Sequence, residues 1–214
     1  MSEFKYVSPP NMGWLENRLD SNELNYVWDR IGNCSSESWK NKLAGDVFNS
    51  KKLEDPDDWF LNNVILKCCG TYNDVYDNMG KNIPISEGEY PYYMREWWVN
   101  YQRQTDFNPM HDHTGVYSFV IWLKIPIEHE EQNKDNASNI KLRSSFQFSY
   151  IDILGRIRQT SYNLNKSWEG TMLFFPSQLH HQVYPFYNCD DDRISISGNV
   201  SLKTNQTMER NEKI

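Results

Sequence analysis

The stretch GTMLFFPSQLHHQVYPF, residues 170–186, predicts two short β-strands joined through a turn at Pro176–Ser177. An apolar run of this length, bounded by Gly and Pro, is typical of a buried strand. His180 and His181 enter the second strand, and neighbouring side chains of a strand face opposite ways. Only one of the two histidines can therefore share a face with Val183, and that one is His181.

Five more segments from about Tyr92 onward repeat this strand-like pattern, with aromatic and β-branched residues at a period of two. They are EWWVNYQ (96–102), YSFVIWLKI (117–125), SSFQFSYI (144–151), RQTSYNL (158–164) and DRISISGNVSL (192–202). Together with GTMLFFP (170–176) and HHQVYPF (180–186) from the opening stretch, these seven runs predict an antiparallel sandwich or barrel. Segment 128–143 is charged and Asn-rich, and it is predicted to be a mobile loop.

The first ninety residues have a helical rather than a strand-like pattern. Asp20 and Glu23 form a capping box ahead of a helix that Gly32 ends. A second short helix is predicted over 36–45, and a third begins at Asp55–Pro56. We expect these helices to form one packed layer.

The length and composition indicate one domain, residues 1–203, with a helical part over about 1–90, a β core over about 91–203 and a polar tail over 204–214. The net charge of −7 argues against a nucleic-acid partner. No apolar run is long enough for a membrane span, and the N-terminus lacks the features of a signal peptide, so we expect a cytoplasmic protein. The four cysteines form no disulfide pattern.

Four of the five histidines fall into two groups about seventy residues apart, and the first group indicates a metal site. On a strand, His111 and His113 point the same way, so two imidazoles can share one metal ion, while Asp112 points away unless a bulge intervenes. The alternative is a simple turn with solvated histidines.

Arg193 and Ser195 share one face of the last predicted strand. A guanidinium binds a carboxylate through two parallel hydrogen bonds, so an inward-facing Arg193 would suit a small dicarboxylate. The alternative is a surface salt bridge from Arg193 to the acidic run 190–192.

The motifs NPMHDH (108–113), VIWLKIP (120–126), FPSQLHHQVYPF (175–186) and RIS (193–195) resemble, in order and spacing, those of the 2-oxoglutarate/Fe(II) dioxygenases, especially the prolyl-hydroxylase-like branch. More narrowly, the chain looks like the 2-oxoglutarate oxygenases of tailed phages, particularly cyanophages, and of bacteria. The resemblance covers about residues 95–200.

The resemblance implies an α+β, mainly β fold: a double-stranded β-helix, or cupin-like jelly roll, with the N-terminal helices packed on the barrel. It implies Fe(II), 2-oxoglutarate and O2 as cofactor and cosubstrates. The implied metal ligands are His111, His113 and His181, and the implied cosubstrate-binding residues are Arg193, Ser195, Tyr101 and Trp122.

One departure from the family pattern concerns His113, which stands where most members have a carboxylate. Replacing a carboxylate by a neutral imidazole raises the net charge of the metal site by one unit, and Asp112 could complete a two-His-one-carboxylate site only through a bulge.

The implied reaction is hydroxylation of a C–H bond in a peptide side chain, proline favoured, or in a small molecule, with release of succinate and CO2. The alternatives are a three-His zinc enzyme and a non-catalytic structural or binding jelly roll of a phage. The substrate is unknown, and the sequence leaves a homodimer open.

Overall fold

The computed structural model describes residues 5, 7, 11–82 and 90–204. Its strands are β1 (Leu15–Arg18), β2 (Asn49–Lys52), β3 (Tyr92–Gln102), β4 (Asn108–His111), β5 (Tyr117–Lys124), β6 (Ser145–Ile151), β7 (Ile157–Asn163), β8 (Thr171–Pro176), β9 (His180–Val183) and β10 (Arg193–Leu202). Its α-helices are α1 (Ser21–Gly32), α2 (Leu66–Val75) and α3 (His129–Asn133). Apart from Thr204, the predicted tail lies outside the described residues.

The strands form two antiparallel sheets, which confirms the predicted jelly roll. The larger sheet has the order β1-β8-β5-β10-β3-β2, and the smaller has the order β4-β9-β6-β7. Aromatic side chains from both sheets meet in one core, where Trp122 and Phe175 of the larger sheet pack with Phe146 and Phe148 of the smaller. The barrel interior lies between these two faces.

A second core covers the other face of the larger sheet, where the N-terminal helices pack. Val27 of α1, Phe60 and Tyr72 contact a cluster that includes Trp97 and Val99 of β3. Strand β5 is buried on both faces, because the barrel interior lies on one side of it and this helical layer on the other.

The first predicted helix is confirmed, including its capping box: the Asp20 side chain accepts from the Glu23 N–H, and Glu23 accepts from the Asp20 N–H. The third is confirmed as a 3-10 turn at Pro56–Asp58, then a π-helical turn at Leu61–Ile65 that leads into α2. Within the part of the chain that the structure describes, no helix has both the length and the hydrophobicity needed to span a bilayer.

Two predictions for the irregular segments were wrong. Residues 36–45 form no α-helix but only a 3-10 turn at Lys40–Lys42, because this segment is hydrogen-bonded to the edge of the larger sheet. The segment 128–143 contains the short helix α3, whose His129 and Asn133 are buried. The polar composition of this segment gave no indication of a buried helix. In the structure, the buried Asn133 side chain has its polar atoms satisfied, because it donates hydrogen bonds to the carbonyls of His129 and Arg143.

Candidate metal and cosubstrate site

Three histidines converge at one end of the barrel. His111 ends β4, His113 follows it, and His181 lies in β9 directly opposite His111. Their candidate ligand atoms all lie within 4.8 Å of one another, and the ring centroids of His111 and His181 are 4.3 Å apart. The predicted grouping of HxH with the distal histidine is therefore present in the structure.

Each ring is held in a state suited to metal binding. The Nδ1 atoms of His111 and His181 lie 2.7 Å and 2.9 Å from the carbonyl oxygens of Pro109 and Leu179. A carbonyl only accepts, so these Nδ1 atoms carry hydrogen and Nε2 keeps its lone pair for a metal. Burial also lowers the pKa of all three rings, that of His113 to about 4, which favours the neutral form of the imidazoles.

Asp112 and His180, the sequence neighbours of the three histidines, lie outside the cluster. Asp112 lies on the rim of the cavity, is exposed and does not join the three histidines. His180 is exposed on the opposite face of β9, as alternation predicts. The donor set present in this structure is thus three neutral imidazoles, which suits Fe(II) as well as zinc.

An aromatic wall surrounds the distal histidine. His181 is 5% exposed, and its ring centroid lies 5.0 Å from that of Phe175 and 5.7 Å from that of Phe146. Trp122, a predicted cosubstrate-pocket residue, lines the same cavity and packs edge-on against Phe146. The cavity has a volume of about 340 Å³. A cavity of this size can hold a small ligand.

Arg193 lies in this cavity with a fully buried guanidinium. It donates to Gln102 Oε1 (2.8 Å from Nη2 and 3.2 Å from Nε), to the Tyr184 carbonyl (3.2 Å) and to Ser144 Oγ (3.4 Å). All of these acceptors are neutral, and burial lowers the Arg193 pKa to about 9. Among the residues that the structure describes, the guanidinium therefore has a positive charge without a charged partner in contact.

The surface salt bridge that was the alternative for Arg193 is not formed. Asp190 accepts from Gln104, Asp191 pairs with Lys124, and Asp192 pairs with Arg103. Within the described residues, no carboxylate lies at ion-pair distance from Arg193. A buried unpaired cation is costly, so this site is suited to an anionic ligand.

The remaining predicted cosubstrate residues are divided between two faces. Ser195 lines the cavity beside Arg193. Tyr101 does not: it packs against the core beneath the helices, because it lies on the other face of β3 from its neighbours. Asn100 and Gln102 are the residues of this part of β3 that face the cavity.

The outer wall of the cavity includes a segment that the sequence did not reveal. We call residues 39–47 the strap. Its Trp39 N–H donates to the Ser50 carbonyl of β2, and its Asp46 forms a β-bridge with Phe107, just before β4. The strap thus joins the two sheets at the mouth, and five of its side chains line the cavity: Trp39, Lys42, Leu43, Ala44 and Val47.

Two side chains of β3 opposite the metal cluster carry polar atoms without a partner. Trp98 and Asn100 are 5% and 7% exposed and line the cavity, and neither Trp98 Nε1 nor Asn100 Oδ1 has a hydrogen bond within the described residues. The strand period places both on the face of Gln102. The alternation of side chains along β3 was the sequence signal that could have assigned Trp98 and Asn100 to the cavity.

Comparison with known proteins agrees with this geometry. A sequence family described as "Putative 2OG-Fe(II) oxygenase" matches residues 96–199. An oxidoreductase of the 2OG-Fe(II) oxygenase family from Burkholderia pseudomallei is similar in structure, with a TM-score of 0.51 and 14% identity over 85% of this chain and 80% of that one. No curated protein matches the chain.

A second solved structure is similar over nearly the whole chain. It is a prolyl hydroxylase from Trichoplax adhaerens in complex with a peptide fragment of the hypoxia inducible factor oxygen degradation domain. Its TM-score is 0.50, with 11% identity over 92% of this chain and 86% of that one. The family match over residues 96–199, together with this shared fold, supports assignment to the superfamily of 2-oxoglutarate- and Fe(II)-dependent oxygenases, enzymes that use Fe(II), 2-oxoglutarate and O2.

Proposed function

We propose that this oxygenase hydroxylates a C–H bond in a peptide side chain or a small molecule, while 2-oxoglutarate is oxidised to succinate and CO2. One oxygen atom of O2 enters succinate and the other enters the new hydroxyl group. Proline is the first peptide side chain to test, because the Trichoplax adhaerens enzyme with the same fold is a prolyl hydroxylase bound to a peptide fragment.

In this proposal His111, His113 and His181 hold the iron. Their neutral rings and the hydrogen bonds that fix Nδ1 of His111 and His181 support the assignment. When bound, Fe(II) would supply the redox chemistry that links O2 to the oxidation of 2-oxoglutarate. Three imidazoles leave coordination positions open for that chemistry.

The unpaired, buried Arg193 is the observation that carries the proposal. We assign it, with Ser195 beside it, to the distal carboxylate of 2-oxoglutarate. Its four hydrogen bonds to neutral acceptors hold the guanidinium in place and leave one Nη1–H without a partner among the described residues. A bound carboxylate would compensate the charge that burial now disfavours.

The substrate is assigned to the outer half of the cavity, between the strap and β3. The aromatic wall around His181 keeps water from the inner half, which limits side reactions of the oxidant. In the outer half, Trp98 Nε1 and Asn100 Oδ1 have unmet hydrogen-bonding capacity. A substrate with both N–H and C=O groups would match them, because its C=O can accept from Trp98 Nε1 and its N–H can donate to Asn100 Oδ1.

The experiment compares binding of 2-oxoglutarate with binding of 2-oxobutyrate, which lacks the distal carboxylate. Calorimetry is done on the Fe(II)-loaded protein without oxygen. Arg193→Met should weaken 2-oxoglutarate binding about 10- to 100-fold, since a hydrogen bond to a charged group contributes about 1.5–3 kcal/mol. Binding of 2-oxobutyrate should not change.

Arg158→Met is the matched control, because Arg158 is half-exposed on β7 and pairs with Asp152. It should bind both keto acids as the wild type does. Equal affinity of the wild-type protein for the two keto acids would contradict the assignment of Arg193. Succinate release, measured with proline-containing peptides, then tests the substrate.

A further inference from the structure

A chain of four buried or half-buried side chains crosses the larger sheet beside the metal cluster. Ser177 Oγ lies 3.0 Å from Ser118 Oγ, Ser118 Oγ lies 2.7 Å from Asn199 Oδ1, and Asn199 Nδ2 lies 3.0 Å from Glu96 Oε1. Ser177, Ser118 and Asn199 are no more than 3% exposed. Glu96 lines the cavity, so the chain begins at a cavity carboxylate and ends in the core.

The chemistry of these groups fixes the direction of every hydrogen bond. An ionised carboxylate only accepts, so Asn199 must donate to Glu96 through Nδ2 and accept through Oδ1. Ser118 therefore donates to Asn199, and since a hydroxyl has one hydrogen, Ser118 can only accept from Ser177. All the members are satisfied in a single arrangement, which makes the chain rigid.

Ser177, at the core end of the chain, contacts the segment that carries His113. The Ser177 carbonyl accepts from the His113 N–H at 2.9 Å, and the Ser177 N–H donates to the Val116 carbonyl at 3.0 Å. Ser177 thus clamps both ends of segment 113–116. Gly115 in this segment has φ +133°, and a Cβ atom there would lie 3.2 Å from Ser177 Oγ.

Ser177 also begins the turn that leads to the distal histidine. The Leu179 N–H donates to the carbonyl of Pro176, the residue before Ser177, and the Leu179 carbonyl lies 2.9 Å from His181 Nδ1. One residue therefore connects the segment of His113 to the turn that orients His181. Its own side chain is fixed by Ser118 and, through Asn199, by Glu96.

We infer that Ser177, Ser118, Asn199 and Glu96 are positioning residues of the metal site: the Glu96 carboxylate orders a hydrogen-bond chain that fixes the spacing between His113 and His181. This inference rests on the proposed iron ligation by the three histidines. Glu96 is not among the metal-ligating group, so it acts through the chain and not by coordination. Groups that orient metal ligands typically change metal affinity 10- to 100-fold when they are removed.

The test is a Co(II) titration of the metal-free protein, followed by the visible ligand-field spectrum, which reports on the geometry of the donors. Asn199→Ala should weaken Co(II) binding about 10- to 100-fold and alter the spectrum. Asn133→Ala is the matched control, because Asn133 is a buried asparagine with its own hydrogen bonds in α3, away from the cluster. It should leave both the affinity and the spectrum unchanged.

Substitutions at two other positions of the chain, Ser118 and Glu96, keep the inference testable if Asn199→Ala does not fold. Ser118→Ala removes the central hydroxyl with little change in volume, and Ser50→Ala is its control, since Ser50 is equally buried and donates only to Val99 O. Glu96→Ala should weaken Co(II) binding, and Glu96→Gln should restore it, because the Gln Oε1 also accepts from Asn199.

The outcomes separate this inference from the proposed function. If the wild-type protein binds Co(II) and the Asn199, Ser118 and Glu96 variants bind it with unchanged affinity and spectrum, the positioning role is wrong and the iron site stands. If the wild type binds no metal, or if removing His111 or His181 has no effect on binding, the proposed iron ligation itself is wrong.

Discussion

Burial changes the chemistry of individual side chains in this protein in two opposite ways. It keeps the three clustered imidazoles neutral, which suits metal ligands, and it leaves the Arg193 guanidinium charged but unpaired, which suits an anion. Both effects follow from removing the charged form of a group from water. The same physics raises the pKa of the buried thiols of α2.

The thiols give a prediction at the level of single residues. Burial raises the pKa of Cys68 to about 12 and raises that of Cys69 as well, so neither forms the reactive thiolate at pH 8. Cys34 and Cys189 are only half-buried. We expect a thiol-specific chromogenic reagent to modify two cysteines rapidly in the folded protein and all four in denaturant. Equal rates for four thiols in the folded state would contradict the placement of α2.

Gly115 gives a second residue-level prediction. A Cβ atom at this position would lie 2.8 Å from the Val200 carbonyl oxygen, on a backbone with φ +133°. Gly115→Ala should lower the free energy of unfolding by about 1–3 kcal/mol, measured by urea titration, and weaken metal binding through the segment of His113.

Gly155 provides the control for that measurement, since it also has a positive φ, of +78°, but a Cβ atom there meets open space. Gly155→Ala should reduce stability less and leave metal affinity unchanged. Identical losses in both variants would show that close packing at Gly115 is not important.

At the scale of elements, the strap depends on the absence of a side chain at Gly45. A Cβ atom at this position would lie 1.4 Å from Asn108 Oδ1 and 2.7 Å from the backbone oxygen of Phe107. Gly45→Ala should therefore separate the strap from β4. We expect faster amide hydrogen exchange over residues 39–47 and weaker substrate binding, with unchanged affinity for 2-oxoglutarate.

Gly70→Ala is the matched glycine control for the strap variant. Gly70 lies in α2 with nothing within 4 Å of an added Cβ atom, so this substitution should raise the free energy of unfolding by about 0.5–1 kcal/mol. It should leave exchange in the strap unchanged. Slow exchange of the strap amides in Gly45→Ala would contradict the role of the close contact.

These elements also show what the sequence could and could not reveal. The seven predicted strands are all present, because each contains aromatic or β-branched residues in a run long enough to be recognised. β1 (LENR) and β2 (NSKK) were missed, because four-residue edge strands with mostly polar side chains have no such pattern. Residues 36–45, which overlap the strap, were wrongly predicted to be helical, because this backbone is held by contacts distant in the sequence.

The site was predictable to the extent that it follows the strand period. His111, His113 and His181 meet as predicted, and Arg193 and Ser195 face one cavity. The proposed contact of Tyr101 with the cosubstrate relied on approximate spacing, and an error of one residue moves a side chain to the other face of a strand. Ser118, which contacts Ser177, and Asn199, which contacts Ser118, lie on strands distant in sequence, so no local pattern could identify this chain of hydrogen bonds.

At the scale of the whole molecule, the two hydrophobic cores of the jelly roll lie on opposite faces of the larger sheet, and the one in the barrel interior borders the proposed site. The helical layer covers the outer face of the larger sheet, while the barrel interior presents a metal cluster, a buried cation and an aromatic wall in one cavity. The family match covers residues 96–199, which include all the proposed iron and cosubstrate residues. The strap, one of the two elements proposed to contact the substrate, lies outside that range.

The most direct test of the central claim is an anaerobic titration of the Fe(II)-loaded protein with 2-oxoglutarate, followed by visible absorption and repeated on Arg193→Ala. Chelation of the keto acid by iron produces a charge-transfer band, so the account predicts a band in the wild type that saturates with 2-oxoglutarate and needs much higher concentrations in Arg193→Ala. The absence of a band in wild-type protein that demonstrably holds iron would contradict the account.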